Sequence, residues 1–443
     1  MSEETSFSVK IENIANEKGS LCFDIVGNDD YGLDLSIINA LRRILINDIP
    51  TVSFYMNDTL EKSDINIVEN NSSVHNEYLS QRVSLCPIYL NPLNYMYNHL
   101  FVLKVAHDDF SKPCRFVTLN DFEVYPLIEG IQERYDKMIN DEYEYSEKEI
   151  EILKGQLSEI KLENYDMSKP LSQKEKDEIF RPFTMKSRDI GKSYILLTEL
   201  KSTNTEDTHQ SIHLYTSPSV GTGKEHARHQ SVSQSTYNFI TNEKLFQENL
   251  DLKLKLQNFE DDEEKENFIR KFSLSNKERY FYKDKSNEPN KYRFSLKSCH
   301  YYDESSLFNL SIMILIEKLD SFKTEIISLL NNNDSRISIV EHNESIIKLN
   351  INKESHTIGN LIQRYITRYN IDDKSIISIC GYNKPHPLED RINIVFTMNQ
   401  FNPKISKATT SDRENILLSH FIEIIDIIVS DIRKIHKVAE KVL

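Results

Sequence analysis

The residues whose types could do chemistry here are a glycine-lysine stretch, a few histidines and five cysteines. The text Gly221-Thr222-Gly223-Lys224-Glu225 has the look of a phosphate-cradling loop. Such a loop needs G-x-x-x-x-G-K followed by a hydroxyl residue for magnesium. Pro218 stands at the first glycine position and Glu225 follows the lysine, so no nucleotide site is expected. His226 and His229, beside Glu225, offer imidazole and carboxylate donors, yet no third ligand group is near in sequence. A polar contact loop is the expected role. His386 lies between Pro385 and Pro387, whose rings lock φ and stiffen a turn, which points to a structural or contact role. His356 stands just before a helix start and is read as local. Neither a Ser-His-Asp nor a Cys-His arrangement is present, and no Asp-rich motif suggests a magnesium-bound polymerising centre. The cysteines (Cys22, Cys86, Cys114, Cys299, Cys380) contain no C-x-x-C pair, which excludes the usual structural zinc spacing and does not look like a disulfide framework. A reducing, intracellular setting is the expectation.

The elements that would position these residues are announced by a repeat. Residues 36–45 read SIINALRRIL and residues 357–366 read TIGNLIQRYI. Aligned on Asn39 and Asn360, both give Ser/Thr, Ile, any, Asn, apolar, apolar, polar, Arg, any, apolar, at an offset of 360 minus 39, or 321 residues. A solenoid repeats every ~20–50 residues, so two distant copies imply two related folding units in one polypeptide, packed about a pseudo-twofold axis. Each copy has helical apolar spacing: Ile37, Ile38, Leu41, Ile44 and Leu45 in one, Ile358, Leu361, Ile362, Tyr365 and Ile366 in the other. Ser36 and Thr357 are placed to cap the two helices. Arg43 and Arg364 fall off the apolar stripes. Two apolar helix faces packing together is the plainer reading of such a pair; matched Asn and Arg are what a generic core does not require.

Around this repeat the order of elements is the same twice. Strands are predicted at 7–14 and 20–26, then the first repeat helix, then a strand at 51–56. Strand character returns at 193–200, 211–217 and 292–298, followed by a long helix over 305–330 with Phe308, Ile312, Leu315, Leu319, Phe322, Ile326 and Leu330 at helical spacing. After a joint at 331–335 come two strands, the second repeat helix, two strands flanking Lys384–Asp390, and a closing helix over 411–442. Its Phe421, Ile424, Ile428, Ile432, Ile435 and Val438 recur every three or four residues. Residues 57–190 break the pattern and read as an insert, with a charged helical run over about 129–180 as a solvated face. Residues 243–291 read as a charged peripheral excursion. The expected division is 1–56 with 191–330 as a first, discontinuous unit, 57–190 as the insert, and 336–443 as a second unit. The net charge of −15 argues against a surface built to neutralise nucleic acid, so DNA would be met only indirectly. No apolar run is long enough to span a bilayer, and the N-terminus has no secretory h-region.

The block GLDLSIINALRRILINDIP (32–50) resembles the signature of the α-like assembly subunits of multisubunit RNA polymerases. These include the N-terminal domain of bacterial α, archaeal subunits D and L, and the third- and eleventh-largest subunits of RNA polymerase II. NEYLSQRVSLCPI (76–88) and GKEHARHQSVS (223–233) resemble segments of the third-largest type. HTIGNLIQRYI (356–366) and GYNKPHPLEDRINIVFTM (381–398) resemble the eleventh-largest type. The resemblance covers about 1–128, 190–240 and 292–443.

It implies a natural fusion of two usually separate subunits: an α+β protein whose two dimerisation units (strands, helix, strands, long helix) pack as an intramolecular pseudo-heterodimer, with a mixed insert domain in the first. It further implies a non-catalytic platform that holds the two large polymerase subunits together. A free-standing mimic that sequesters those subunits is the alternative. Carried over by motif, Asn39, Leu41, Arg42, Arg43, Asn360, Leu361 and Arg364 would belong to the dimer core and its rim, with Gln363 opposite Arg42 weakening one contact. Arg42 and Arg43 would present charge to the second-largest subunit. Glu225, His226 and Arg228 would lie on a partner-facing loop, and Gly381, Tyr382, Pro385, His386 and Pro387 would shape the matching turn. Implied partners are the largest and second-largest polymerase subunits and small zinc-binding subunits, without a membrane or a homo-oligomer. No cofactor is expected in this chain; catalytic magnesium belongs to the largest subunit. Many third-largest-type relatives carry a four-cysteine zinc site in the insert; only Cys86 and Cys114 fall there, so no zinc is expected. Fused subunits of this kind are typical of large DNA viruses, which would place the protein in the virion and host cytoplasm.

Overall fold

A computed structural model describes residues 7–17, 19–29, 32–56, 64–95, 97–108, 111–131, 161–185, 190–202, 209–259, 261–331, 333–343, 345–369 and 375–443. The chain forms two compact units. One comprises 1–46, 232–298 and 304–443; the other comprises 47–231 and 299–303.

In the first unit, two four-stranded antiparallel sheets share one topology. Val9–Glu17, Ser20–Gly27, Lys291–Ser298 and Val232–Phe239 lie side by side in that order, as do Ile337–His342, Ile346–Asn352, Arg391–Met398 and Ile377–Asn383. Each is therefore ordered first, second, fourth, third along its half of the chain. The first repeat helix (Leu35–Asn47) leaves the second strand of the first sheet, and the second repeat helix (His356–Tyr369) leaves the second strand of the other. A long helix, Glu304–Leu330 or Thr410–Val442, follows the last strand in each half.

The alternation of these strands buries one face. Phe23 and Phe294 stack at 5.7 Å between ring centroids, and Phe308 of the first long helix meets both edge-on. The second half repeats the device with Phe396 of its last strand and Phe421 of its long helix, 5.5 Å apart. Such edge and stacked pairs follow the ring quadrupole. Phe421 also meets Phe322 of the first long helix at 5.7 Å. Salt bridges join Lys323 to Asp426 and Arg433 to Asp320, the reversed order of an antiparallel helix pair. At the joint, Glu325 accepts from the Ser335 hydroxyl and the Arg336 N–H, both at 2.9 Å, and Arg336 pairs with the buried Glu354 at 3.2 Å.

The second unit is built on a sheet ordered Ile65–Asn70, Ser211–Thr216, His99–Ala106, Phe122–Pro126. Its core holds Phe54, Phe101, Phe122 and Phe180, with Phe101 and Phe122 in ring contact with each other and with both Phe54 and Phe180. The boundaries differ from those drawn on sequence at 56/57 and 190/191. Ser211–Thr216 sits between two strands of this sheet, Leu196–Lys201 pairs with Cys114–Thr118, and Pro50–Ser53 pairs with Ser219–Thr222. Alternation identifies a strand but not its partner, and the partners lie in this body. The predicted 51–56 strand ends at Ser53. Of the charged run 129–180, residues 132–160 lie outside the described residues. The remainder contains a helix at Gln173–Phe180, started by a capping box of Ser172 and Glu175, whose Ile179 and Phe180 are buried rather than solvated. The 243–291 excursion carries helices at Glu243–Leu256 and Asp262–Asn276.

Candidate functional site

The two repeat helices meet through polar residues at their ends while their apolar stripes are buried. Ile37, Ile38, Leu41, Ile44 and Leu45 are fully buried, and Leu361, Ile362, Ile358, Tyr365 and Ile366 nearly so. The caps are not the expected hydroxyls. Asp34, 5% exposed, accepts the Ser36 N–H through Oδ1 at 2.8 Å and the Ile37 N–H through its carbonyl at 3.2 Å. Ser355 does the corresponding work, accepting from the Thr357 N–H at its hydroxyl (3.4 Å) and from the Gly359 N–H at its carbonyl. In both copies the helix starts earlier than the Ser/Thr of the motif, because the residue two positions before it is also a capping type. The Ser36 hydroxyl is buried with no hydrogen-bond partner among the described residues.

The Thr357 hydroxyl is used otherwise: Arg43 of the first repeat helix donates Nε–H to it at 2.8 Å. In return, Arg364 of the second repeat helix reaches Asp34 at the start of the first, at 3.6 Å, and Glu288 at 3.3 Å. Arg368, one turn on, reaches the same Asp34 carboxylate at 3.6 Å and Asp284 at 3.4 Å. The relation is reciprocal, as across a twofold axis: the Arg of each helix addresses the N-terminus of the other. Burial works against the Arg364 charge, but Asp34 and Glu288 together hold its pKa above the ordinary arginine value. Asn39 and Arg42 are half-buried and bond to each other, Arg42 Nε–H donating to Asn39 Oδ1 at 3.0 Å. Asn360 and Gln363 are also half-buried. Beneath the second helix, Tyr365 donates to Asp431 of the long helix at 3.3 Å, and burial raises the Asp431 pKa.

Gly359 has a structural cause. A Cβ there would lie 2.6 Å from Tyr382 Cδ2, so the Tyr382 ring packs directly on the helix backbone, with His356 edge-on to it at 5.9 Å. Gly381 is half-buried with open space beside it, while Pro385, His386 and Pro387 are exposed at the turn, where the His386 ring accepts the Leu388 N–H at 3.2 Å.

The EHARH loop, in the other unit, divides in two. Glu225 and His226 are exposed and line an open cleft of about 560 Å³ with Tyr55, Asp64 and Tyr97. Burial pushes the Asp64 carboxyl up to about 6, with Arg228 opposing the shift. Arg228 does not face outward: it is 8% exposed and donates to the Phe54 carbonyl at 3.2 Å and to the Met56 carbonyl. His229 is buried against the Thr51 carbonyl at 3.2 Å, and burial lowers its pKa to about 4. Its ring fills the space a Cβ at Gly221 would need, 2.6 Å away, so that glycine serves packing and not a phosphate. Cys86 is buried with its thiol pushed up to about 12, and Cys114 is half-buried on a strand.

Sequence reasoning missed Asp34, Ser355, Arg368, Asp284 and Glu288. Arg368 is one turn beyond Arg364 and was open to an i,i+4 reading. Asp284 and Glu288 carry no local signal, since what they meet lies about 80 residues away.

The RNA polymerase Rpb3/Rpb11 dimerisation domain family matches this chain twice, over residues 31–319 and over residues 347–416. The human DNA-directed RNA polymerases I and III subunit RPAC1 is 33% identical over 96 residues, 22% of this chain and 23% of that protein. Its Dictyostelium discoideum counterpart is 34% identical over 83 residues, 19% of this chain and 20% of that protein. The chain thus spans about a fifth of the length of these relatives. The DNA-directed RNA polymerase subunit Rpo11 of Saccharolobus shibatae is 30% identical over 88 residues, 20% of this chain and 90% of that subunit.

Proposed function

Since the chain belongs to the RNA polymerase Rpb3/Rpb11 dimerisation family and carries both matches in one polypeptide, we propose that it is a non-catalytic assembly subunit of a multisubunit DNA-directed RNA polymerase. Its two halves act as an intramolecular pseudo-heterodimer and form the platform on which the two large catalytic subunits assemble. The observation that carries this reading is the reciprocal clasp of Arg43 on Thr357 and of Arg364 on Asp34, set between two sheets of identical strand order. The polymerase names of the relatives support the same reading. Fusion suits it: a tethered partner has an effective concentration on the order of millimolar, which makes pairing intramolecular and fixes one copy of each half.

In this reading the nucleotide chemistry and its magnesium belong to the large subunits, small zinc-binding subunits complete the assembly, DNA is met only through the complex, and the chain does not pair with itself. The exposed Glu225, His226 and Pro385–Pro387 turn are the surfaces offered to those partners. Purification of the tagged full chain from its source tests this. Co-elution at one-to-one with both large subunits in transcribing polymerase is the expected result. Recovery only in inactive subcomplexes would replace this reading with sequestration.

A further inference from the structure

The 243–291 excursion, read on sequence as peripheral, returns to the paired helices and contributes charge there. Its returning limb is fixed against Gly27, Asp29 and Leu33. Gly27 N–H donates to the Asn290 carbonyl at 2.8 Å, Lys285 N–H to the Asp29 carbonyl at 3.0 Å, and the Tyr292 hydroxyl to the Leu33 carbonyl at 3.0 Å. Asp284 and Glu288 are bonded to each other's backbone, Asp284 N–H to the Glu288 carbonyl and Glu288 N–H to Asp284 Oδ1, both 2.9 Å. Gly32 leaves the room this needs, since a Cβ there would lie 2.5 Å from Asp284 Oδ2. Asp34 and Asp284, whose carboxylates are held by backbone N–H groups, and Glu288, whose backbone is held, thus form a carboxylate cradle, and Arg364 and Arg368 of the other half are seated in it.

The other end of the helix pair is built differently. At the 321-residue offset, Ser355 stands where Asp34 does, Arg43 where Arg364 does, and Asn47 where Arg368 does. One end sets three carboxylates against two guanidiniums; the other sets one guanidinium against a neutral hydroxyl. Two first halves from different copies, paired in the same geometry, would bring three carboxylates against Arg43 alone at both ends. Two second halves would bring two guanidiniums to Ser355 and Thr357 at both ends. Like charge left without its counterion disfavours both wrong pairings, which is how charged rims choose partners in general.

We infer that the returning limb, through Asp284 and Glu288, is a pairing-selectivity element: an acidic cradle that accepts a helix bearing two arginines one turn apart and rejects a second copy of its own half. This rests on the reading of the two halves as a clasped pair.

The test uses the full chain with a protease site placed in the joint between Leu330 and Ile337 and cut after folding. Gel filtration at low and high salt follows dissociation of the two fragments, and native mass spectrometry reports what pairs with what. Wild-type fragments are expected to remain as unlike pairs, separating faster as salt rises. Arg364→Ala with Arg368→Ala is expected to speed separation about 100-fold at low salt and to flatten the salt dependence. Leu361→Ala, which removes apolar contact alone, should speed separation and leave the salt slope intact. Arg364→Lys with Arg368→Lys, which retains charge, should fall between. Asp284→Asn with Glu288→Gln should let pairs of first halves appear. An Arg364→Ala, Arg368→Ala chain that separates at the wild-type rate, or keeps the wild-type salt slope, overturns the inference and leaves the polymerase reading standing. Wild-type fragments that part at once when cut overturn the clasped pair itself.

Discussion

The two repeat helices carry an arginine at the same place and employ it differently. Arg43 donates to the Thr357 hydroxyl, whereas Arg364, joined by Arg368, meets Asp34, Glu288 and Asp284. The motif fixes where the guanidinium stands; the start of the opposite helix fixes what it finds, the cap Asp34 for Arg364 and the first-turn Thr357 for Arg43. Asp34 at one start and Ser355 at the other turn a symmetric clasp into a polarised one, with an ionic end and a neutral end. The apolar stripes show no such difference. Leu41 and Ile362 are both fully buried at matched positions, so the stripes supply attraction and the ends supply discrimination. The two kinds of contact can be broken separately.

The largest effect is expected from the shared stripe. Leu41→Asp places a carboxylate in an apolar site with no cation built to meet it, at a cost on the order of 5 kcal/mol. Ile362→Asp, at the matched position of the other helix, should equal it within experimental error. Both should abolish soluble folded protein and, on the proposed function, recovery of assembled polymerase from the native source; normal yield of folded protein from either would remove that helix from the core. These positions were legible because apolar residues at three- and four-residue spacing have one way to hide. The caps were not. Asp34-Leu35-Ser36 and Ser355-His356-Thr357 each offer two competent capping residues, and only the helix's approach to its neighbour decides between them. The body boundaries were hidden for a related reason. Pro50–Ser53 and Ser219–Thr222 are adjacent in space and about 170 residues apart in the chain, and no local pattern records a pairing of that range.

The ionic end comes next. Asp34 is 5% exposed and Arg368 is largely covered, so Arg368→Ala leaves buried carboxylates short of a counterion, at about 3 kcal/mol. Arg364 is more open to water, and its removal alone should cost less, about 1 kcal/mol. Thermal or denaturant unfolding ranks the two, and equal losses would place the ionic end's weight on the wrong arginine.

A contrast between the two bodies is read by pH. In the insert body, burial lowers His229 and His99 to about 4 each. From the ordinary histidine value near 6.5 down to about 4, the unfolded chain holds protons that these folded sites refuse, so stability is full above that window and is lost as pH falls through it. Asp64 of the same body, raised by burial to about 6, offsets this in part, since its contribution has the opposite sense and is lost as pH rises, but the two histidines together outweigh it. In the paired-helix body burial raises Asp431, again in that opposite sense. Hydrogen exchange at pH 7 and pH 5 should therefore show the insert body opening first in acid. His229→Gln should reduce its acid loss by about 2 kcal/mol at pH 5. Equal acid sensitivity of the two bodies would mean that His229 is not held neutral in the fold.

The smallest effect belongs to the neutral end, and it bears most directly on the comparison. Arg43→Ala removes one hydrogen bond from a half-buried guanidinium to Thr357, a loss of about 1 kcal/mol. Thr357→Ala should cost a similar amount, and the double variant little more than either, because each removes the same bond. The decisive substitution is Thr357→Asp. It gives the neutral end a carboxylate one bond from Arg43 and also sits in the first turn of its helix, where negative charge is favoured. A gain of about 1 kcal/mol in folding stability is expected, falling with salt. Such a gain would mean that the chain holds a stronger contact in reserve and leaves that end uncharged, as polarity of the clasp requires. A loss at low salt would mean that Arg43 is already neutralised by its surroundings, and that the two ends differ in geometry rather than in charge.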